Sequence, residues 1–546
     1  MQRLIGLIVV VGLVFWTASW ADMEELLAIL ASDVPEDFGS MVANARDVNG
    51  DGYHDLLIGT DIKWFGRAHI YFGGPSFDTI PDITLVAREN IRHFGYCVSG
   101  AGDVNDDGFY DIMVAAGNEE TDRSFVYIFY GGNPMDTVPD LELYEKTKIE
   151  GFGWAMSHTG DLNDDGYDDV IVGAPLAGPS GKAYIYHGGN PMDSIPDLIL
   201  KTNLDWGDFG QRVVALGDVN GDGHPDIGVG DAWCNTSTGM ACIYFGGPDM
   251  DRIPEFILKG ESAHSHFGLD LAGEDLNGDG YSDIIVGARG YALDHGKIYI
   301  YRGGPSIPSN PDLTMTGRFD WEELGFNLMA VGDLDGDGYG DFTSGTFDLY
   351  NRVYAYYGRM SMDRDMDLVL PDAAGGADYY GWVAACDIDG NGRPELCVGS
   401  PRENKVYIYR IRHNQFKITL KPDSRKVVKG EKLSWTTTIT NNTGKDQNLY
   451  FWVDLLDPNC QPYGDGPVLG PKLEKISASK TVTRHISMEI PGDPSLGQYT
   501  CTLKADTTEP QWPWIDFIEN DSFEFELVSG MRGFDHPFLS RRLRKR

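Results

Sequence analysis

Seven copies of one nine-residue acidic segment recur at nearly constant spacing, and a period of that size restricts the chain to an array of similar supersecondary units. The first copy reads Asp47-Val-Asn49-Gly-Asp51-Gly-Tyr53-His-Asp55. The others start at Asp103, Asp161, Asp218, Asp275, Asp333 and Asp387, separated by 54 to 58 residues. Each copy sits among the same short apolar runs. In the third unit these are Leu141-Glu-Leu-Tyr, Phe152-Gly153-Trp-Ala-Met, Asp169-Val-Ile-Val-Gly173-Ala-Pro and Lys182-Ala-Tyr-Ile-Tyr. They are brief, rich in β-branched and aromatic residues, and punctuated by Gly and Pro, which predicts strands rather than helices. Four strands per unit, seven times over, is the pattern of an all-β, seven-bladed propeller.

The register of the repeat predicts how the ring closes. An outer-strand run precedes six of the units, from Ile83-Thr-Leu to Leu368-Val-Leu, and the seventh such run is Leu26-Leu-Ala-Ile-Leu30 near the N-terminus. The last unit ends instead at Lys405-Val-Tyr-Ile-Tyr-Arg410. The N-terminal strand is therefore expected to complete the seventh blade within residues 22–411, leaving no unpaired edge at either chain end.

Calcium takes six to eight oxygen ligands in flexible geometry, and the acidic segment supplies them. Side chains at positions 1, 3, 5 and 9 carry oxygen in every copy, and the position 7 carbonyl adds another. The predicted ligands are Asp47, Asn49, Asp51, Tyr53 and Asp55 in the first loop, and Asp103, Asn105, Asp107, Phe109 and Asp111 in the second. The third offers Asp161, Asn163, Asp165, Tyr167 and Asp169; the fourth, Asp218, Asn220, Asp222, His224 and Asp226. Asp275, Asn277, Asp279, Tyr281 and Asp283 follow in the fifth, then Asp333, Asp335, Asp337, Tyr339 and Asp341 in the sixth. The seventh varies the set to Asp387, Asp389, Asn391, Arg393 and Glu395 without losing a donor. Up to seven Ca2+ ions are thus expected. An EF-hand would place a bidentate Glu at position 12. Here that position holds Ile58, Val114, Val172, Val229, Val286, Ser344 and Val398 inside strand patterns, which excludes EF-hands.

The net charge of −39 excludes nucleic acid as a simple electrostatic partner. Ligand positions account for 22 of the acidic side chains, so much of the acidity belongs to the loops.

Phe-Gly ahead of Asp-x-Asn-x-Asp-Gly-x-x-Asp, with Val172-Gly173-Ala174-Pro175 behind it, resembles the FG-GAP repeat of integrin α-subunit propellers. Similar repeats occur in secreted bacterial proteins. The resemblance covers residues 24–410 and implies a calcium-binding propeller. Gly325-Phe326 and Tyr380-Gly381 stand as departures from Phe-Gly in units six and seven. No inserted adhesion domain, leg array or transmembrane helix of the integrin kind is recognisable.

Outside the array, residues 4–16 form an apolar run behind Arg3, and Ser19-Trp20-Ala21 follows. At 1.5 Å per residue the run covers about 20 Å, too short for a bilayer, so residues 1–21 are expected to be a cleaved signal peptide. The expected location is then secreted, cell-surface or periplasmic, with no membrane span in the mature chain. Alternating strands between 416 and 528 fit an immunoglobulin-like β-sandwich, and residues 529–546 a basic disordered tail. Cys234 with Cys242, Cys386 with Cys397 and Cys460 with Cys501 are possible disulfides, leaving Cys97; buried free thiols are the equal alternative.

Loops of an up-and-down blade alternate between two faces. The acidic loops and the Gly-Gly loops share the uniform face. The other varies in length and carries Trp64, Phe65, Trp206, Trp233, Tyr291, His295, Trp321, Tyr350, Tyr379 and Tyr380. Variable loops on a rigid scaffold are the usual place for recognition. The expected function is a calcium-stabilised extracellular binding or adhesion module for a protein or glycan ligand. The alternative is a secreted polysaccharide lyase or hydrolase on the same scaffold, with His264, His266 and His295 as first suspects.

Overall fold

A strand covered on both sides needs no polar alternation, and the second strand of each unit shows this directly. Asp169–Ala174, Asp226–Asp231 and Asp283–Ala288 are buried at every position. First strands such as Met41–Arg46 are buried only at intervals. The computed structural model describes residues 24–411 apart from 33–36, 61–65, 89–90, 119–122, 145–150, 205, 347–351, 360–361, 363, 365 and 371–382, together with the backbone of strands between 416 and 528. The expected signal peptide and basic tail lie outside the described residues, as do Trp64, Phe65, Tyr350, Tyr379, Tyr380 and Cys460.

Seven sheets form the blades of a β-propeller in the unit Glu24–Ile411. The third is typical: Met156–Gly160, Asp169–Ala174, Lys182–Tyr186 and Leu198–Leu200, each antiparallel to the next. The seventh joins the two ends of the array. Val383–Cys386, Glu395–Ser400 and Lys405–Ile411 are completed by Glu24–Ala31, which pairs antiparallel with Lys405–Ile411.

The two halves of the repeat signature meet between blades. A Cβ on Gly173 would fall 2.0 Å from the carbonyl of Gly210, one on Gly230 2.0 Å from that of Gly268, and one on Gly399 2.1 Å from that of Gly39. The glycine after the aromatic in one blade thus lies against the glycine of the preceding blade's second strand, and no side chain fits between them. The aromatic itself fills the inter-blade core: Phe38, Phe152, Phe209 and Phe267 are buried. In unit six this position belongs to Leu324-Gly325, which corrects the reading of Gly325-Phe326. Gly296 bridges Leu324 as Gly239 bridges Phe267, and the Gly325 carbonyl meets Gly287. The sequence departure is therefore Leu for Phe, one residue earlier.

A second unit contains two sheets. One has the order Phe416–Pro422, Lys432–Asn441, Thr481–Glu489; the other Lys426–Val428, Glu519–Val528, Gly497–Asp506, Gln447–Leu456, Leu469–Ile476. No helix among the described residues is long and apolar enough to cross a membrane.

Candidate metal centres

Each acidic loop is first a device for satisfying its own backbone. The position 1 carboxylate accepts the position 5 N–H on one oxygen and the position 6 N–H on the other in all seven copies. For Asp47 the donors are Asp51 at 3.0 Å and Gly52 at 2.8 Å; for Asp387 they are Asn391 at 2.9 Å and Gly392 at 2.8 Å. The position 5 side chain then accepts the position 7 N–H, as Asp51 does from Tyr53 at 3.1 Å. These bonds require left-handed backbone at positions 4 and 6. Gly52, Gly108 and Gly166 have φ near +90°, and two of the position 4 residues are the aspartates Asp106 and Asp164 at φ 54° and 64°.

Position 9 opens the second strand and is buried. Asp55 accepts the Val48 N–H at 2.9 Å on one oxygen and the Gly73 N–H at 2.8 Å on the other. Gly131, Gly188, Gly246, Gly303 and Gly358 make the equivalent bond to Asp111, Asp169, Asp226, Asp283 and Asp341. The acidic loop and the Gly-Gly turn therefore share one face. Burial pushes the position 9 carboxyls upward, and the other carboxylates of the same loop add to it: Asp55 to about 7, Asp111 to about 8 and Asp341 to about 9. Such a cluster is favoured by a nearby positive charge.

The donor set fits a hard divalent cation. In the sixth loop the carboxylates of Asp333, Asp335 and Asp341 offer oxygens within 4.8 Å of one another; in the seventh those of Asp387, Asp389 and Glu395 come as close, but Arg410 donates to two of them. In the first four loops position 3 is Asn, whose amide donates to the position 5 carboxylate, as Asn49 does to Asp51 at 3.1 Å. The fifth loop differs: the Asn277 amide turns to Asp283, 3.2 Å away.

Position 7 has a further task that composition does not reveal. A Cβ on Gly50 would meet the Phe109 ring, one on Gly221 the Tyr281 ring, and one on Gly390 the Tyr53 ring. Each of these position 7 side chains thus covers position 4 of the preceding loop. The backbone adds a link in the same direction. The N–H of His54, Tyr110, Asp168, Ser282 and Gly340 donates to the position 1 carbonyl of the loop before it. At the two remaining junctions the donor position is Pro225 or Pro394, which has no N–H.

The same repeat is found in known proteins. The chain carries FG-GAP repeats. The FG-GAP repeat family matches residues 152–186 and 267–301. Integrin alpha-5 of Xenopus laevis is 32% identical over 248 residues, covering 42% of this chain and 23% of that protein. Phosphatidylinositol-glycan-specific phospholipase D of Bos taurus is 28% identical over 283 residues, covering 46% and 33%. Integrin alpha-8 of Mus musculus is 28% identical over 240 residues, covering 41% and 22%. These matches thus span a third or less of each relative.

On the opposite face of the FG-GAP ring, Trp206 is 82% exposed and Trp321 65%, and Trp233 is also exposed. Tyr291 is instead covered by the Lys297 ammonium, 4.6 Å from its ring. Trp154, Leu293 and Phe319 are exposed too, and the sequence reading missed them because only tertiary placement separates them from core residues of the same type. His264 and His266 lie close together, both against Gly290. His266 packs edge-on to Trp233 at 4.4 Å, and His295 bonds Asp320 at 2.8 Å. The cysteines among the described side chains, Cys97, Cys234, Cys242, Cys386 and Cys397, are free and buried.

Proposed function

We propose that this propeller is a calcium-stabilised extracellular binding module that engages a protein or glycan through the face opposite the acidic loops. The observation that carries the reading is the exposure of Trp154, Trp206, Trp233, Phe319 and Trp321 on the loops of adjoining blades three to six. Indole rings left in water are costly unless a partner covers them, and they serve equally as protein hot spots and as stacking platforms for sugars. On the acidic face the exposed aliphatic side chains Ile80, Val138, Ile195 and Ile253 repeat one position of units one to four, so it offers repetition rather than a distinctive patch.

Calcium is the cation that best suits the loops, because the donors are all oxygen and the carboxylates are numerous. Export through the N-terminal apolar run supplies a compartment with millimolar calcium, and the C-terminal unit is read as a β-sandwich spacer. Glycan arrays and pulldowns from extracellular matrix, with Trp206→Ala/Trp321→Ala as the control, test the proposal. Retained binding by the double variant would place recognition elsewhere.

A catalytic reading draws support from the match to a phospholipase D, although that match covers 33% of the enzyme. Release of product from polysaccharide or phospholipid by the purified chain would establish it.

A further inference from the structure

We propose that the seventh acidic loop is closed by the guanidinium of Arg410 and holds no divalent cation. This rests on the calcium reading of the other six loops. In blades one to six the chain leaves the third strand through a glycine turn, whose N–H bonds one oxygen of the position 9 carboxylate. Blade seven has no such turn, because Lys405–Ile411 is where the chain leaves the propeller. The Arg410 side chain takes the donor's place. Its Nε donates to Glu395 Oε1 at 3.3 Å, while Ile388 N–H occupies the other oxygen at 3.1 Å, as the equivalent N–H does in blades one to four and six. Its Nη2 donates to Asp389 Oδ2, at position 3.

The loop's charge matches this arrangement. Position 5 is Asn391 rather than Asp, so Asp387, Asp389 and Glu395 are the anionic ligands. Arg410 engages two of them with a planar fork that suits paired carboxylates. Asp387 keeps both oxygens on the loop N–H groups of Asn391 and Gly392. A divalent ion would have to share the cluster with a fixed positive charge or expel it from a partly buried site. In blades two and three the residue at the Arg410 position is Tyr130 or His187. Blade five also has an arginine there, Arg302, yet Asp283 keeps its glycine partner, with the Gly303 N–H at 3.0 Å. An arginine at this position takes over the carboxylate only where the glycine turn is missing. Arg410 lies opposite Glu25 in the strand pair that joins the two ends of the ring. The closing blade is therefore fastened by a cation of the chain itself, and stays fastened when calcium falls.

Calcium stoichiometry by equilibrium dialysis on the full chain tests this. Asp103→Ala in the second loop sets the scale by losing one ion. Asp389→Asn is expected to leave the wild-type count unchanged, and Arg410→Met to raise it by one. Loss of one ion in Asp389→Asn, or no gain in Arg410→Met, overturns the proposal. A wild type that binds no calcium fails the underlying reading, and the proposal falls with it. Hydrogen exchange of the wild type needs no variant: amides of residues 387–395 are expected to exchange equally in calcium and in chelator, while those of 103–111 speed up. Equal acceleration of both segments would overturn the assignment.

Discussion

The N–H of Tyr110 donates to the carbonyl of Asp47 at 3.2 Å, so the second acidic loop hangs directly from the first. The bond recurs at four other junctions, including His54 to Asp387 across the closure. Of the loops tied this way, those that hold calcium are expected to lose order together. With ~1 mM calcium and a Kd of ~0.1 mM, each occupied loop contributes about 1.4 kcal/mol. Six such loops contribute about 8 kcal/mol, comparable to the whole stability of a domain. Chelation should lower the propeller's Tm by about 10 °C in one transition, read by calorimetry. An unchanged melt in chelator would remove calcium from the account.

Asp111 and Asp107 are both predicted ligands, yet they differ in what else they hold. Asp111 is buried and satisfies the N–H groups of Val104 and Gly131, whereas Asp107 lies at the surface. In chelator, Asp111→Ala should cost roughly 2–4 kcal/mol and Asp107→Ala under about 1 kcal/mol, by urea denaturation. Equal losses would show that position 9 has no structural task beyond the ion.

The strain in these loops is conformational rather than steric. A Cβ on Gly108 meets nothing within 4 Å, but its φ is +91°. Gly108→Ala should therefore destabilise by about 1–2 kcal/mol, while Asp106→Gly, at φ 54°, should be neutral or stabilising by up to about 1 kcal/mol. Urea denaturation of the two variants checks the pair, and a neutral Gly108→Ala would remove the argument from backbone strain.

Asp231 gives a pH signature away from the acidic loops. It accepts the N–H groups of Asp208 at 3.0 Å and Cys234 at 3.2 Å on one oxygen, and burial, its main cause, raises its carboxyl to about 6. The folded state then holds a proton that the unfolded chain releases near pH ~4, so this group's contribution is favourable at low pH and is lost as pH rises from about 4 to 6. Asp231→Asn should raise Tm at pH ~7.5, with the gain shrinking toward zero by pH ~4. A gain independent of pH would show that the carboxyl does not titrate there.

Trp206 and Trp321 are exposed and should be separable from stability. Their replacement by Ala is expected to leave Tm within about 1 °C and to weaken ligand binding at least about tenfold. Lost stability with intact binding would reverse the assignment of faces.

Much of this was legible in the chain because the repeat confines its chemistry to nine residues. Asp47 bonds the N–H groups of Asp51 and Gly52, so composition and spacing alone specify the turn. Leu324 was misread because Phe326 lies two residues on, and only the packing of Gly325 against Gly287 shows which residue fills the core. Arg410 was missed for a similar reason: nothing local connects it to Asp389, 21 residues earlier.

The sequence by itself determined the number of blades, the strands within them and the oxygen donors of each loop, since these depend on contacts a few residues apart. The tertiary structure decided which carboxylates are buried, which loops lean on their neighbours, and where a guanidinium stands among the acids of the seventh loop. Those outcomes depend on residues from different strands and blades, and on the water their packing excludes.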